Sequence, residues 1–387
     1  MGYVSREKLF QTPVITGLIS QIDVPGSIFQ RAYAMGGAGR RVQGRTAAWD
    51  LFHSTRSVAS VRAPRTGPAM RSRKPYGQRA AQMLRLHEKM IIFDEDLMRF
   101  RPAGSPIGSI DASGQAYVRQ QLGYFSQVFR NTREWAVSRM FRGGFGVKAV
   151  GDEFRLCESD DADALYTIDY GIPAGHKSQL DVDGNGDIID TSWDDAAADI
   201  VSQFQKLDYQ AERVSGYPTR HIWINGNTAQ YLFENTQLAS IRGTSVRIFD
   251  SLSRREIDPA STLPDTGYDI VFGAMPLHRF HVYNGGLVVP GTSEDFDSQI
   301  SATNFERFIP DNYAIITPDP GDWCEMMTGS EYIRENVVRP MREVYGMNSW
   351  STPVTNPPGQ EIYMLDNFLP VLYIPRAVYY AEVIFGS

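Results

Sequence analysis

The sequence predicts an α+β protein in which one long helix accompanies several strands and a smaller strand–turn–helix unit follows. Residues 115–142 place apolar side chains at helical spacing and are followed by two glycines, which favours one helix of about 42 Å. Residues 145–192 contain short runs in which apolar and polar side chains alternate, as in strands with one covered face. Residues 220–225 are typical of a buried strand, and a helix at 228–235 follows an Asn-Gly-Asn turn.

Length and composition suit a globular protein with a substantial core. The 387 residues are 42% apolar, which suits two or three domains. No run of about 18 apolar residues occurs, and the N-terminus lacks the basic start and apolar stretch of a signal peptide, so neither a membrane span nor a signal peptide is expected. Only two cysteines are present, Cys157 and Cys324, which argues against a disulfide scaffold and favours synthesis in a reducing cytoplasm.

The net charge of −7 conceals an asymmetry along the chain. Residues 1–100 carry a balance of +9, so the remaining residues carry −16. Such a split predicts that one part of the chain meets something acidic, either nucleic acid or the acidic part of a second copy. No zinc-finger, RNP-type or basic-zipper pattern appears, so a recognisable nucleic-acid-binding module is not predicted.

The first 93 residues predict an arm followed by a projecting hairpin. Residues 1–44 have few long apolar runs and a glycine-rich patch, so we expect an extended arm. Residues 45–93 predict two long strands on either side of a tip that is rich in proline and glycine. The tip carries Arg71, Arg73 and Lys74. Because this hairpin has too few apolar residues for a core of its own, we expect it to pack on another body.

The remaining chain supplies further helices and strands. Short helical patterns with acidic residues in the first turn are expected at residues 94–100 and 194–212. Further strands are expected across residues 245–290. The apolar tail, residues 361–385, is expected to return to the sheet that begins near residue 145.

The sequence lacks the common catalytic and zinc-site signatures. It contains no G-x-S-x-G element for a serine nucleophile and no H-E-x-x-H pair. Of the six histidines only His278 and His281 are close, and three positions apart on a strand they face opposite sides. Cys157 lies in an expected strand and is interpreted as structural. We therefore predict no catalytic residue, no zinc site and no cofactor.

One acidic stretch has the beginning of a calcium-binding loop. Asp181, Asp183, Asn185 and Asp187 fall at alternate positions, as the oxygen ligands of an EF-hand do. Position 12 of such a loop requires a bidentate glutamate, and Ser192 stands there instead. The residues before the stretch also do not predict the helix that an EF-hand needs on that side.

The same stretch predicts a tight turn. Gly-Asn-Gly at residues 184–186 tolerates positive φ, so a hairpin between two strands is expected, with the second strand at 186–192. We prefer the hairpin, and a calcium site stays as the alternative.

The order of these parts resembles the major capsid proteins of tailed bacteriophages, which have the HK97-type fold, and within them the lambda-like major capsid protein E family. The stretches that carry the resemblance are GRTAAWDLFHSTRSVASVRAP, REWAVSRMFRGG, WDDAAADIVSQF with the strand–turn–helix unit after it, and NFLPVLYIPRAVYYAEVIF. The resemblance spans nearly the whole chain and rests on element order and loosely similar segments. The crosslinking residues of HK97 itself have no counterpart that we can identify.

The resemblance implies a division of the chain into five parts. These are an N-terminal arm (1–44), an E-loop (45–93), a P-domain with a spine helix (94–193, helix 115–142), an A-domain (194–318) and a return to the P-domain (319–387).

The resemblance also implies a function. Members of the family assemble as hexamers and pentamers into an icosahedral head around double-stranded DNA, which they enclose without sequence specificity. Their partners are copies of themselves, scaffolding and portal proteins, and in many cases a decoration protein. The implied protein is a virion component made in the host cytoplasm and not an enzyme. The alternatives are a calcium-dependent binding protein and another virion structural protein, such as a tail or portal component.

Contacts between subunits are expected at the hairpin. Its apolar residues, Trp49, Leu51 and Phe52, should be buried against another subunit, because obligate interfaces are large and apolar. Its basic tip should meet acidic residues of a neighbour, where single exposed pairs contribute about 0–1 kcal/mol and guide register. The charged residues are Arg71, Arg73, Lys74 and Arg79 on one side and Glu153, Glu158, Asp160 and Asp161 on the other.

Overall fold

The structure is a computed structural model, and it describes most of the chain. The described residues are 4–5, 15, 27–35, 39–52, 77–98, 109–110, 112–150, 153–240, 246–250, 255–257, 267–288, 305–333 and 341–385. The predicted basic tip with Arg71, Arg73 and Lys74 lies outside them.

Six helices occur among the described residues, and one is much longer than the rest. They are α1 (Ile28–Ala32), α2 (Asp94–Met98), α3 (Ala112–Arg142), α4 (Ile200–Val214), α5 (Gly226–Glu234) and α6 (Thr236–Ser240).

Ten strands of the described residues precede α4. They are β1 (Val4–Ser5), β2 (Arg40–Val42), β3 (Thr46–Leu51), β4 (Gly77–Gln82), β5 (Leu84–Phe93), β6 (Ser109–Ile110), β7 (Gly144–Val150), β8 (Glu153–Cys157), β9 (Ala164–Asp169) and β10 (Lys177–Ser178). The strands after α4 are β11 (His221–Ile224), β12 (Arg247–Asp250), β13 (Glu256–Ile257), β14 (Tyr268–Val271), β15 (Arg279–Val282), β16 (Gly286–Val288), β17 (Phe305–Arg307), β18 (Tyr313–Thr317), β19 (Cys324–Ile333), β20 (Arg342–Tyr345), β21 (Asn348–Thr355), β22 (Pro358–Leu372) and β23 (Tyr379–Glu382).

Two larger sheets organise these strands. The eight-stranded sheet has the order β10-β23-β18-β11-β15-β14-β12-β13. The six-stranded sheet has the order β2-β19-β22-β21, with β5 also paired to β22 and β20 to β19. A three-stranded sheet, β8-β7-β9, follows α3, and β3 pairs with β4 alone.

Helix α3 changes character along its length. Its first half turns Val118, Leu122 and Phe129 toward β22, where they pack with Ile362 and Met364. Spacings of four and seven residues place these side chains on one face, as the sequence predicts. Its last turns are buried nearly all round, so this part of α3 runs through the core.

The strand–turn–helix unit predicted from the sequence is confirmed. Strand β11 leads into α5, whose N-cap Asn225 accepts a hydrogen bond from the Thr228 N–H at 2.9 Å. The preceding helix begins later than residue 194, because Asp199 caps it by accepting from the Ser202 N–H at 3.0 Å. The acidic residues at 194–195 lie in a turn before the helix.

The predicted hairpin strand after the tip divides at Met83. Strand β4 pairs with β3 as far as Gln82, whereas β5 leaves the hairpin and pairs with β22 along its whole length. Met83 and Leu84 are both buried at the division, so burial of these two side chains directs β5 into the six-stranded sheet.

The prediction for the apolar tail is wrong. Strand β22 pairs with β5, β19 and β21, and β23 pairs with β18 and β10, so neither returns to β7 near residue 145. An apolar run cannot specify its partner strand, because burial on both faces suits any central position. Two core clusters follow from this pairing, one around the end of α3 and one between α4, α5 and the eight-stranded sheet.

Candidate intersubunit surface

At the base of the hairpin, β3 buries one set of side chains within its own chain and is followed by an exposed phenylalanine. Trp49 is 3% exposed, and its ring lies 6.2 Å from that of Tyr170 in the same chain. Leu51 is partly buried against the same core. The sequence argument that Trp49 needs another subunit to cover it is therefore corrected, because its own chain buries it. Phe52 is 46% exposed, so it is the member of this group that a neighbour could still cover.

The other face of β3 borders a cleft of about 400 Å³. Ala48 and Asp50 line it from one face of the strand, because alternate side chains share a face, and Trp49 and Phe52, the latter just after the strand, also border it. Across the cleft Arg40 lies 3.8 Å from Glu325, and Tyr373 donates its hydroxyl to the same carboxylate. Burial raises the pKa of Tyr373 to about 12. The cleft is thus polar and has the exposed ring of Phe52 in its lining.

Arg79 already has a partner within its own chain. It lies opposite Trp49 in the β3–β4 ladder and donates to the Asp169 carboxylate at 3.1 Å and to the Asp169 backbone carbonyl. Gly171 has φ +73°, and a Cβ there would collide with the Arg79 guanidinium. The guanidinium therefore ties β4 to the end of β9.

Two of the four acidic residues predicted to face a neighbour also have partners in the same chain. Glu158 pairs with Arg142 at 3.2 Å and with Arg139. Asp161 lies 2.7 Å from Lys148, and this hydrogen bond lowers the pKa of the Asp161 carboxyl.

The other two acidic residues that were predicted to face a neighbour are Asp160 and Glu153. Asp160 is exposed beside these pairs. Glu153 begins β8, opposite Val150 in the ladder. The structure thus brings the acidic set to the β7–β8–β9 sheet, and it commits Glu158 and Asp161 to cations of the same subunit.

Two carboxylates of the calcium-like stretch already have partners within the chain. Asp181 accepts from the Gly186 N–H at 3.2 Å, and Asp183 accepts from the Asn185 N–H at 3.3 Å. Asp183 also lies 3.2 Å from Arg213. Its pKa is lowered, first by the Asn185 side chain that hydrogen-bonds to it. Among the described residues, no group of three or more His, Cys, Asp or Glu side chains is placed to hold a metal ion.

The same stretch reverses direction without forming the predicted strands. The Ile188 N–H donates to the Leu180 carbonyl and the Ile189 N–H to the Gln179 carbonyl, but residues 181–190 form no ladder. Gly184 and Gly186 adopt positive φ, as the turn requires. The prediction of a strand at 186–192 is wrong, since these residues pair with no strand; Ile188 and Ile189 are instead buried in the core beside the eight-stranded sheet.

Two adjacent charged residues of α3, which the sequence analysis did not identify, are fully buried. Arg133 donates to Asp366 of β22 through Nε at 2.5 Å and Nη2 at 2.6 Å. Glu134 accepts from the backbone N–H groups of Phe29 at 2.6 Å and Gln30 at 3.1 Å. Burial raises the pKa of Glu134 to about 7. Charges inside an otherwise apolar helical stretch are the signal that could have identified them.

A third polar cluster joins two histidines. His281 Nδ1 lies 2.7 Å from Asp269 Oδ1, and His281 Nε2 lies 2.7 Å from His221 Nδ1. His278 lies just before β15, 3.1 Å from Asp208, so the two histidines contact different partners although they do not share the predicted strand.

Comparison with solved structures identifies the fold. A phage-related protein from Bordetella bronchiseptica RB50 matches with a TM-score of 0.52 at 9% identity, covering 96% of this chain and 97% of that chain. A protein described as a prophage capsid protein from Escherichia coli CFT073 matches with a TM-score of 0.53 at 14% identity, covering 99% of this chain and 100% of that chain. At these identities the likeness establishes the fold alone, and the predicted α+β capsid fold of HK97 type is confirmed.

The family follows from the sequence itself. No curated protein matches the chain. Within the described residues no helix is both long and apolar enough to cross a membrane. The family described as phage major capsid protein E matches residues 12–383, and the chain therefore belongs to this family of shell-forming phage capsid proteins.

Proposed function

We propose that this capsid protein assembles as hexamers and pentamers into an icosahedral head that encloses double-stranded DNA. The observation that carries the proposal is the family match, which extends over residues 12–383. The head is built from copies of this chain, and the DNA is held without sequence specificity. The five-part division into arm, E-loop, P-domain, A-domain and returning segment is part of the same proposal.

The hairpin is the proposed contact between subunits. Phe52 supports this role because 46% of its surface stays exposed at the base of the hairpin. Leaving a phenylalanine in water costs free energy that burial against a neighbour recovers. Trp49 and Leu51 support the contact indirectly, since their packing in the same chain holds β3 in place.

The basic tip is proposed to meet an acidic surface of a neighbour. Arg71, Arg73 and Lys74 supply the positive charge. Asp160 and Glu158 are exposed members of the predicted acidic set. Because Glu158 already pairs within its own subunit, a neighbour's cation would have to share that carboxylate.

Scaffolding and portal proteins are the proposed partners in assembly, and a decoration protein is a further proposed partner on the outer surface. The protein is proposed to be made in the host cytoplasm and to act without enzymatic activity or cofactor. A calcium-dependent activity is not favoured, because the acids of the 181–190 loop bind backbone N–H groups and Arg213.

Electron microscopy and sedimentation velocity of the purified protein test the assembly. Both are run on the protein alone and on the protein produced with the products of its neighbouring genes. We expect closed shells or capsomers with five- and six-fold outlines. A monodisperse monomer under every condition would contradict the proposal.

Charge reversal tests the hairpin contact. Replacing Arg71, Arg73 and Lys74 by glutamate should reduce shell yield, and the loss should depend on salt because exposed charges are screened. The matched control reverses three exposed cations that already have partners in the same chain. These are Lys206, Arg213 and Arg247.

The control variant should assemble as the wild type does. Unchanged assembly and unchanged salt dependence in the tip variant would remove the tip contact from the proposal, while leaving the shell itself in place.

A further inference from the structure

A chain of four titratable side chains crosses the eight-stranded sheet. Asp269 on β14 contacts His281 on β15 at 2.7 Å, and His281 contacts His221 on β11 at 2.7 Å. His221 Nε2 then lies 3.1 Å from the carboxylate of Asp319, in the loop after β18. The Trp323 indole donates to the Asp319 backbone carbonyl at 2.8 Å, which holds this loop against the sheet.

The three contacts require three N–H groups on the two imidazole rings. Each carboxylate only accepts, so His281 Nδ1 and His221 Nε2 must both carry hydrogen, and the ring-to-ring contact needs one more. Two neutral imidazoles supply two N–H groups, and the third belongs to one added proton. The geometry of this chain is therefore that of a histidine pair with a single positive charge between two carboxylates.

We propose that His221 and His281 share one proton and act as a pH-sensitive clamp that joins β11, β14, β15 and the Asp319 loop. Loss of the proton leaves the His221 Nε2 lone pair facing the Asp319 carboxylate, and that contact then opens. Uptake of a second proton places two N–H groups head to head across 2.7 Å, and the contact between the rings then opens.

The second protonation is opposed by the surroundings. Burial, followed by the charge of His281, lowers the pKa of His221 to about 4. Three further groups face the pair: Arg279, which shares β15 with His281, and, across a cavity of about 150 Å³, Arg31 of α1 and Tyr33 just after it. Two arginines make a doubly charged pair unfavourable, whereas Asp269 and Asp319 balance a singly charged one.

A metal ion does not fit the same geometry. If both rings were ligands, each metal–nitrogen bond would be about 2.0 Å long, and the two nitrogens would stand farther apart than a hydrogen bond allows. The 2.7 Å separation of His221 and His281 is that of a hydrogen bond. The occupant of the pair is therefore a proton.

The state of the clamp is transmitted to α1. The ring of Trp223 stacks on His281 at 4.1 Å between centroids and packs at a tilt against Phe29 of α1 at 4.7 Å. Its indole N–H donates to the Tyr33 hydroxyl at 2.8 Å. Opening the contact between the His221 and His281 rings would therefore weaken the support that Trp223 gives to α1.

Thermal unfolding between pH 4 and pH 8 tests the clamp. Asp319 is 73% exposed, so Asp319→Asn should fold. This variant should unfold at a lower temperature than the wild type at pH 6, by on the order of 2 °C, and the difference should shrink toward pH 8 as the pair loses its proton. All samples are compared in the same assembly state, checked by sedimentation.

His221→Asn supplies the second arm of the test. In this background, adding Asp319→Asn should shift the unfolding temperature equally at pH 6 and pH 8, because the shared proton is gone. His87→Asn is the control, since the exposed His87 stacks on Trp350 outside the clamp. In the His87→Asn background, the pH-dependent effect of Asp319→Asn should persist.

Two results would overturn the proposal. One is an Asp319→Asn effect of equal size at pH 6 and pH 8 in the otherwise wild-type chain. The other is a pH-dependent Asp319→Asn effect that survives in the His221→Asn background.

Discussion

Residues 133 and 134 of α3 both bury a charged side chain, and the two side chains are stabilised in different ways. Arg133 holds β22 through a bidentate ion pair with Asp366, and both side chains are at most 2% exposed. Glu134 holds α1 by accepting two backbone N–H groups, with the Gln30 amide as a further donor at 3.0 Å. One face therefore buries two opposite charges, and the other buries a carboxylate among uncharged donors.

The Glu134 face predicts a response to pH. Glu134 has only uncharged donors, and burial raises its pKa to about 7. The α1 face of α3 should therefore be sensitive to pH near neutrality.

The largest effect is expected from breaking the ion pair. Arg133→Met leaves the Asp366 carboxylate buried without its counter-charge, so the free energy of unfolding should fall by about 3–5 kcal/mol. Denaturant unfolding of the unassembled chain measures it. The control is the double variant Arg133→Met/Asp366→Leu, which removes both charges and should recover most of the loss. If the single and double variants lose equal stability, the bidentate pair does not join α3 to β22 in this way.

The next effect tests whether α1 is held as firmly as β22. Phe29 is fully buried between Trp223, Phe141 and Tyr283, so Phe29→Ala should lower the free energy of unfolding by about 3 kcal/mol. Phe52→Ala is the matched control, because the same change at a half-exposed ring should cost less than about 1 kcal/mol. Equal losses in the two variants would mean that α1 is not packed on the core as described.

A comparable but pH-dependent effect is expected for Glu134→Gln. In the wild type the folded state keeps the Glu134 proton up to about pH 7, while the unfolded state loses it near the ordinary value of 4.5. Stability from this group is therefore highest below pH 4.5 and falls as pH rises to 7. The variant lacks this fall, so its stability relative to the wild type should rise by on the order of 3 kcal/mol across the window.

Glu361→Gln is the control with the opposite sign. The Tyr363 hydroxyl, followed by Lys89, lowers the pKa of Glu361, so its contribution is present above pH 4.5 and is lost as pH falls through the lowered pKa. Unfolding curves at several pH values measure both variants. Parallel slopes in the two variants would show that Glu134 does not titrate in the predicted window.

The smallest effect on stability should have a large effect on assembly. Phe52→Ala should leave the isolated subunit within about 1 kcal/mol of the wild type, yet reduce the yield of shells because a subunit contact loses its aromatic ring. Sedimentation of assembly reactions measures the yield. Leu51→Ala replaces a partly buried side chain of β3, so it should lower the stability of the subunit more and the yield of shells less. Normal shell yield from Phe52→Ala would exclude Phe52 from the contact.

Much of the local structure was predictable from sequence, but the pairing of the strands was less so. The spine helix and the strand–turn–helix unit carry strong local signals, namely helical periodicity and the Asn225 cap. The division of the hairpin strand at Met83 carries none, because β4 and β5 form one continuous run of strand-like residues. The loop at 181–190 was predicted to turn, yet its return segment packs in a core that local alternation could not indicate.

The candidate intersubunit surface was also predictable only in part. Trp49 was named for its apolar character, and tertiary structure decided that its own chain covers it while Phe52 stays exposed. Arg79, Glu158 and Asp161 were named for their charge, and the fold supplied each with a partner of the same subunit. Charge and hydrophobicity are properties of a residue, whereas the identity of the partner depends on distance in three dimensions.

By itself, the sequence determined the class of fold, the long helix, the family resemblance and the asymmetry of charge, because periodicity, composition and segment order are local or additive properties. Tertiary structure alone decided that β22 joins β5 and β19, that Arg133 and Glu134 face opposite partners, and that His221, His281, Asp269 and Asp319 meet. Those residues lie far apart in the chain, and only closure of the sheets brings their side chains within hydrogen-bonding distance.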